Sequence, residues 1–388
     1  MTTPTIPGSQ VTGQSLASGA AGTALLHIEL ALTGAGSWRD AAVTIELATR
    51  EPIDASPSGC LLHGAPALAL VLNAARADGQ PRYQSAVEVL DRQVQHLARQ
   101  RLIQAQARLG SGNPGTFDEH DLFYGLTGIG VVLLRVVPES DVLADILAYL
   151  VRIATQPLTI DGLQAPGWWS DRDPDPLSPT PGGHANMGVA HGAAGLLAFL
   201  SISARTGHVV DGQFEAIGSL CAWFDQWEQQ SDHGPLWPQW ITRAELRTGR
   251  TSQPEPGRPS WCYGTPGIAR ALQLAAIATG DLARQIAAEH ALAATLAGPR
   301  IARLTNAGLC HGVAGVYQTA ARANADAVTP AIADRLPEVA AAIGERLDSV
   351  AAEPNGLITG NAGVRLALES ARRSAPPISG WDTCLLLA

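Results

Sequence analysis

The sequence predicts an all-α fold: an α/α toroid of seven inner and seven outer helices, forming a single domain over residues 1–388. Three observations lead there. A short glycine signature recurs seven times, an apolar helical run follows each copy, and amphipathic stretches lie between the copies.

The signatures read Gly19-Ala-Ala-Gly22, His63-Gly64-Ala-Pro66, Gly125-Leu-Thr-Gly128, Gly192-Ala-Ala-Gly195, Gly264-Thr-Pro-Gly267, Gly312-Val-Ala-Gly315 and Gly360-Asn-Ala-Gly363. Their first glycines are spaced 45, 61, 67, 72, 48 and 48 residues apart, and the second copy lacks its closing glycine. Residues 268–279 carry apolar side chains almost all round a helix, the pattern of a buried one. Several such runs stop at a glycine (Gly34, Gly79, Gly207, Gly280), the residue that best adopts a left-handed helix cap. The stretches 84–107, 212–229, 281–297 and 329–350 mix charge with apolar residues and suit outer helices with one wet face. Strand signals are poor, with much Ala and little Val/Ile/Tyr alternation. Close packing of helices explains each Gly-x-x-Gly taken singly. Seven copies also gather exposed N–H groups and positive helix ends at one end of the ring.

Two segments depart from the rhythm. Residues 156–187 and 231–260 are rich in Pro, Gly and Trp, and read as loops over one end of the toroid. Trp168, Trp169, Trp237 and Trp240 offer a peptide docking surface there, or else pack within the loops themselves.

The composition, 46% hydrophobic and 16% charged, fits a packed globular chain. A net charge of −9 argues against nucleic-acid binding by bulk charge. The chain has no Lys, which removes Schiff-base chemistry and any lysine base. No signal peptide or membrane span is evident, so a cytoplasmic location is expected. In that compartment five scattered cysteines are not expected to form disulfides.

Chemistry-bearing residues gather at the signatures. Cys262 and Cys310 both stand two residues before a first glycine, so they are equivalent positions in adjacent repeats. His311 follows Cys310, and His191 precedes Gly192. Two Cys and one His suit Zn²⁺, with a fourth position open as in catalytic sites; the rival reading is two small buried hydrophobes. Two thiolates and an imidazole cancel the charge of the ion, so a substrate thiolate would make the centre negative. A free thiol is only about 3% ionised at pH 7, so full ionisation gains roughly 30-fold, about 2 kcal/mol. Activation of water is the competing use of such an ion. Cys60, Cys221 and Cys384 read as structural, as do His63 and His184.

The chain resembles the lanthionine synthetase C-like family, the lantibiotic cyclases. The resemblance rests on Ala190-His191-Gly192-Ala-Ala-Gly195, Arg258-Pro-Ser-Trp261-Cys262-Tyr263-Gly264-Thr-Pro266-Gly267, Cys310-His311-Gly312-Val-Ala-Gly315 and the ending Gly380-Trp381-Asp382. It implies one zinc ion on Cys262, Cys310 and His311. It also implies addition of a peptide Cys thiolate to dehydroalanine or dehydrobutyrine, forming a thioether ring. His191 and Asp121 match the family's proton-transfer residues, and Arg258 and Tyr263 match an arginine and a tyrosine flanking the first zinc cysteine. Each has a plainer rival: helix-start packing for His191, an N-terminal cap for Asp121, a surface charge for Arg258. The implied partners are a dehydrated ribosomal precursor peptide and a separate dehydratase, since the chain has no room for one. Addition of glutathione to a dehydrated residue, and a non-catalytic peptide-binding toroid with structural zinc, are the alternatives.

Overall fold

A computed structural model describes residues 13–173, 179–232, 234–253, 257–347 and 355–388. Among the described residues, thirteen main helices alternate strictly between two rings. The inner ring holds α1 (Ala20–Leu32), α3 (Ala65–Ala74), α5 (Leu126–Val136), α7 (Ala193–Arg205), α9 (Thr265–Thr279), α11 (Val313–Ala325) and α13 (Asn361–Arg373). Each begins directly after the first glycine of a signature, which is its N-cap. The outer ring holds α2 (Trp38–Ala48), α4 (Gln84–Gly110), α6 (Asp141–Thr155), α8 (Gln213–Trp227), α10 (Leu282–Thr295) and α12 (Leu336–Gly344). Each inner helix packs on the next, and α13 packs back on α1, so the ring closes.

Most inner helices are apolar on nearly every face because they are enclosed by two inner neighbours, an outer helix and the filled centre; α13, with Arg365, Arg372 and Arg373, keeps a polar face. In α9, for instance, residues 265 to 276 are all buried. Outer helices bury a single stripe, as in α10, where Gln285, Ala288, Glu289, Ala291, Leu292 and Thr295 face inward.

Where the sequence reading has seven outer helices, the described residues contain six. After α13 the chain turns inward instead. The 3₁₀ segment Trp381–Leu385 touches α3 and α5, Arg270 of α9 donates to Leu387 O, and Arg322 of α11 pairs with Asp382. Trp381, Asp382, Cys384 and Leu385 are wholly buried, so this segment fills the bore.

The two Trp-rich segments supply the few strands. β1 (Leu158–Ile160) pairs antiparallel with β2 (Leu163–Ala165), and β3 (His184–Asn186) with β4 (Trp240–Thr242). Trp168, Trp169 and Trp237 are buried: Trp169 Nε1 donates to Gly182 O, Trp237 Nε1 to Phe224 O, and Trp168 meets Trp223 edge-on. Of the two readings of these three, their burial favours packing within the loops over a docking surface. They hold the loops together, while Trp240 packs edge-on against Tyr263 and Trp237 borders a small cavity with it.

Candidate metal centre and active site

Every inner helix brings the residues just ahead of it to the same end of the ring. The loops that carry them are fixed by backbone contact. In six copies a Cβ on the signature's second glycine would strike the carbonyl oxygen six residues earlier, at 2.2 Å for Gly22, 1.9 Å for Gly128, 2.3 Å for Gly195, 2.1 Å for Gly267, 1.8 Å for Gly315 and 2.0 Å for Gly363. Only glycine permits that approach. The second copy, with Ala67 there, differs. Cys60 and His63 exchange backbone hydrogen bonds of 3.0 Å, and Gly64 takes φ +75°, routing the chain another way.

The residue immediately before each first glycine is half-buried in all seven repeats: Ser18, His63, Tyr124, His191, Tyr263, His311 and Thr359. By the register of the repeats these seven positions fall around one end of the ring, its mouth. One position earlier the side chain turns into the protein, and Cys262 and Cys310 are both buried there.

Cys262, Cys310 and His311 come together, their donor atoms within 4.8 Å of one another and Cys262 Sγ 3.2 Å from His311 Nδ1. Zn–N and Zn–S bonds imply tetrahedral edges of about 3.3–3.8 Å, so small adjustments bring the trio onto one ion. The donors are soft and buried, and His311 is half-exposed toward the mouth, so the set fits zinc. Ser260 Oγ stands 3.5 Å from Cys262 Sγ. Burial raises the Cys262 thiol, but hydrogen bonds with Cys310 and His311 outweigh it and leave it well below the ordinary value. The Cys310 thiol is pushed well above by its bond to Cys262 and by burial.

His191 lies in the preceding repeat. Its Nδ1 is 2.5 Å from Asp121 Oδ2, and the other carboxylate oxygen accepts the Tyr124 and Gly125 N–H groups, both at 2.7 Å. Asp121 is therefore a helix-start cap and a histidine partner at once. A fully buried carboxylate accepts, so Nδ1 carries a proton and Nε2 is left to face the mouth. Phe117, Phe123, Tyr124 and Tyr263 surround the imidazole, with ring centroids 5.2, 5.4, 6.1 and 6.0 Å away.

Tyr263 has its hydroxyl engaged by Asn186 Nδ2 at 3.1 Å, and burial pushes its phenol far up. Arg258 is half-buried, its guanidinium has no hydrogen bond or ion pair to any described residue, and its charge reaches the Cys310 thiol. Trp240 meets Tyr263 edge-on at 6.4 Å. His184 is fully buried with neither ring nitrogen partnered, and burial lowers it to about 4. His63 lies 3.6 Å from Asp54. Cys60 and Cys221 are buried thiols pushed up to about 11, and Cys384 is buried in the bore.

Residues 10–386 match the family model described as lanthionine synthetase C-like protein. The chain belongs to that family. Nisin biosynthesis protein NisC of Lactococcus lactis subsp. lactis is 23% identical over 266 residues, 67% of this chain and 61% of that protein. The alignment thus spans less than two thirds of the curated relative. The solved structure of nisin cyclase superposes with a TM-score of 0.81 at 20% identity, covering 98% of this chain and 93% of the other. The family's helical toroid is the fold described above.

Within this lanthionine synthetase C-like ring, sequence reasoning passed over Tyr124 and Asn186. The signal for Tyr124 was present, since it occupies the same place before its glycine as His191, Tyr263 and His311. Asn186 had none: it meets Tyr263 through the pairing of β3 and β4, which local pattern does not encode. No helix among the described residues is long and apolar enough to cross a membrane.

Proposed function

We propose that the protein is a zinc-dependent lanthipeptide cyclase, which adds Cys thiolates of a dehydrated ribosomal peptide to dehydroalanine or dehydrobutyrine and so forms (methyl)lanthionine rings. The observation that carries this reading is the convergence of a Cys₂His group and a buried His–Asp pair at one end of the ring. Family membership supports it.

Cys262, Cys310 and His311 would hold the ion. Bound there, zinc lowers the pKa of a thiol entering the open position, making it a nucleophile at neutral pH. A C–S bond then forms at the β-carbon, and the π pair moves toward the carbonyl oxygen. Arg258, half-buried and unpaired among the described residues, stabilises that charge. Protonated His191 gives a proton from Nε2 to the α-carbon, and the carbonyl re-forms. Asp121, 2.5 Å from Nδ1, fixes the orientation of the imidazole. The Tyr263 ring packs against His191 and limits its rotation. One proton leaves the thiol and one enters the α-carbon, so the addition is redox-neutral. A separate dehydratase supplies the dehydrated residues, and the same proposal places the protein in the cytoplasm.

The test incubates purified protein with a dehydrated Cys-containing peptide and follows the loss of alkylatable thiol. Wild type is expected to consume it, and Cys310→Ala to lose both bound zinc and ring closure. Equal performance of the two would overturn the mechanism and leave a non-catalytic toroid. Consumption of glutathione with no peptide closed would move the reading to a small-thiol transferase.

A further inference from the structure

Tyr124 stands among the residues that line the mouth, one repeat before His191. Its backbone N–H donates to Asp121 Oδ1 at 2.7 Å. Its ring stacks on His191 with an interplanar angle of 13° and meets Phe123 edge-on at 6.4 Å. Main chain and ring are thus fixed by the proposed acid–base pair and its neighbours. The hydroxyl is not: it has no hydrogen-bond partner among the described residues. Tyr263 differs, because Asn186 already occupies its hydroxyl.

Position and charge give this free hydroxyl a task. The residue is half-exposed at the mouth, its ring lies stacked on His191, and Asp121, Cys60, Asp118 and Cys310 all act on its phenol. Burial, then those charges, push the phenol well up, so at neutral pH it is a hydrogen-bond donor and never a base. Stacking on His191 needs only the ring, and Phe123 serves beside it with no hydroxyl. A donor fixed in place at the edge of a thiol-addition site is suited to oxygen that gains charge during the reaction.

We propose that Tyr124 is a further catalytic residue, its hydroxyl donating a hydrogen bond to the carbonyl oxygen of the dehydrated residue as the thiolate adds. This rests on the cyclase reading. In the step the C–S bond forms, the C=C π pair shifts to the Cα–carbonyl bond as the C=O π pair moves onto that oxygen, and Tyr124 holds the enolate without transferring its proton. His191 then protonates the α-carbon, and the phenol is unchanged at the end.

Tyr124→Phe keeps the ring and removes the donor. With the dehydrated peptide, kcat is expected to fall about 10- to 100-fold, as for a lost oxyanion donor that shares its charge with another group. KM should stay within about twofold and zinc content and melting temperature should stay at wild-type values, as expected when an interaction made only in the transition state is lost. 3-Fluorotyrosine at position 124, a stronger donor of nearly the same shape, should restore kcat. Unchanged kcat in Tyr124→Phe, or a fall that accompanies lost zinc or lost stability, would overturn the proposal. A wild-type protein that closes no ring would instead remove the cyclase reading on which it depends.

Discussion

Asp121 serves the fold with one carboxylate oxygen and the proposed chemistry with the other. Oδ1 accepts two backbone N–H groups at the start of α5, and Oδ2 holds His191. The sequence offered a cap and a proton-transfer partner as rival readings, and the geometry makes both true. That predicts different outcomes for two substitutions. Asp121→Asn keeps an oxygen for the backbone but turns an N–H₂ toward Nδ1, which moves the imidazole proton to Nε2. Ring closure should then fall about 10²- to 10⁴-fold, while stability changes by no more than about 1 kcal/mol. Asp121→Ala should lose activity and a further 1–2 kcal/mol or so, because the backbone donors lose their partner. Kinetics paired with denaturant unfolding separates the two. An active Asp121→Asn enzyme would remove Asp121 from the mechanism. The tryptophans mark the limit of reading at this scale. Trp169 and Trp240 look alike in sequence, and only long-range pairing decides that one is packed and the other faces the site.

The inner helices were legible because each follows an N-capping glycine with a largely apolar run, and several stop at a Gly such as Gly280, with φ +75°. The loops ahead of them were not. Their shape depends on one glycine touching a carbonyl oxygen six residues earlier, a contact that no hydrophobic period reports. Gly315 is the sharpest case, because its loop ends in Leu309-Cys310-His311 and a Cβ would lie 1.8 Å from Leu309 O. Gly315→Ala should therefore push Leu309 away and drag the adjacent Cys310 off its place. A loss of about 2–4 kcal/mol and weakened zinc binding are expected, measured by thermal melting and metal titration. Gly218 in α8 provides the contrast. Nothing lies within 4 Å of a Cβ there, so Gly218→Ala should stabilise the helix by about 0.5–1 kcal/mol and leave zinc untouched. Equal zinc affinity in Gly315→Ala would mean that the metal loop tolerates the shift.

At the scale of the molecule, the seven-fold rhythm predicts a ring, and the ring turns 49 residues of separation into contact between Cys262 and His311. What the rhythm could not convey is the fate of the chain end. The apolar Leu385-Leu386-Leu387 run carries no periodicity, so a surface patch and a buried plug read the same in sequence. The structure buries it, and charge holds it there. Asp382 is fully buried, accepts two N–H bonds from Arg322 at 2.6 and 2.7 Å, and takes a third from Gln318 at 2.6 Å. The plug also reaches the metal loop, since Trp261, next to Cys262, donates its indole N–H to Leu385 O at 3.0 Å. Removing one partner of such a pair leaves the other charge uncompensated, at a cost of about 3–5 kcal/mol. Asp382→Ala should therefore lower stability by that amount, and the loosened plug should release its hold on Trp261 and weaken zinc binding. Denaturant unfolding and a zinc titration of the same variant measure the two effects together. Stability within about 1 kcal/mol of wild type would mean that apolar contacts alone retain the plug. Lost stability with undiminished zinc affinity would separate the bore from the metal loop.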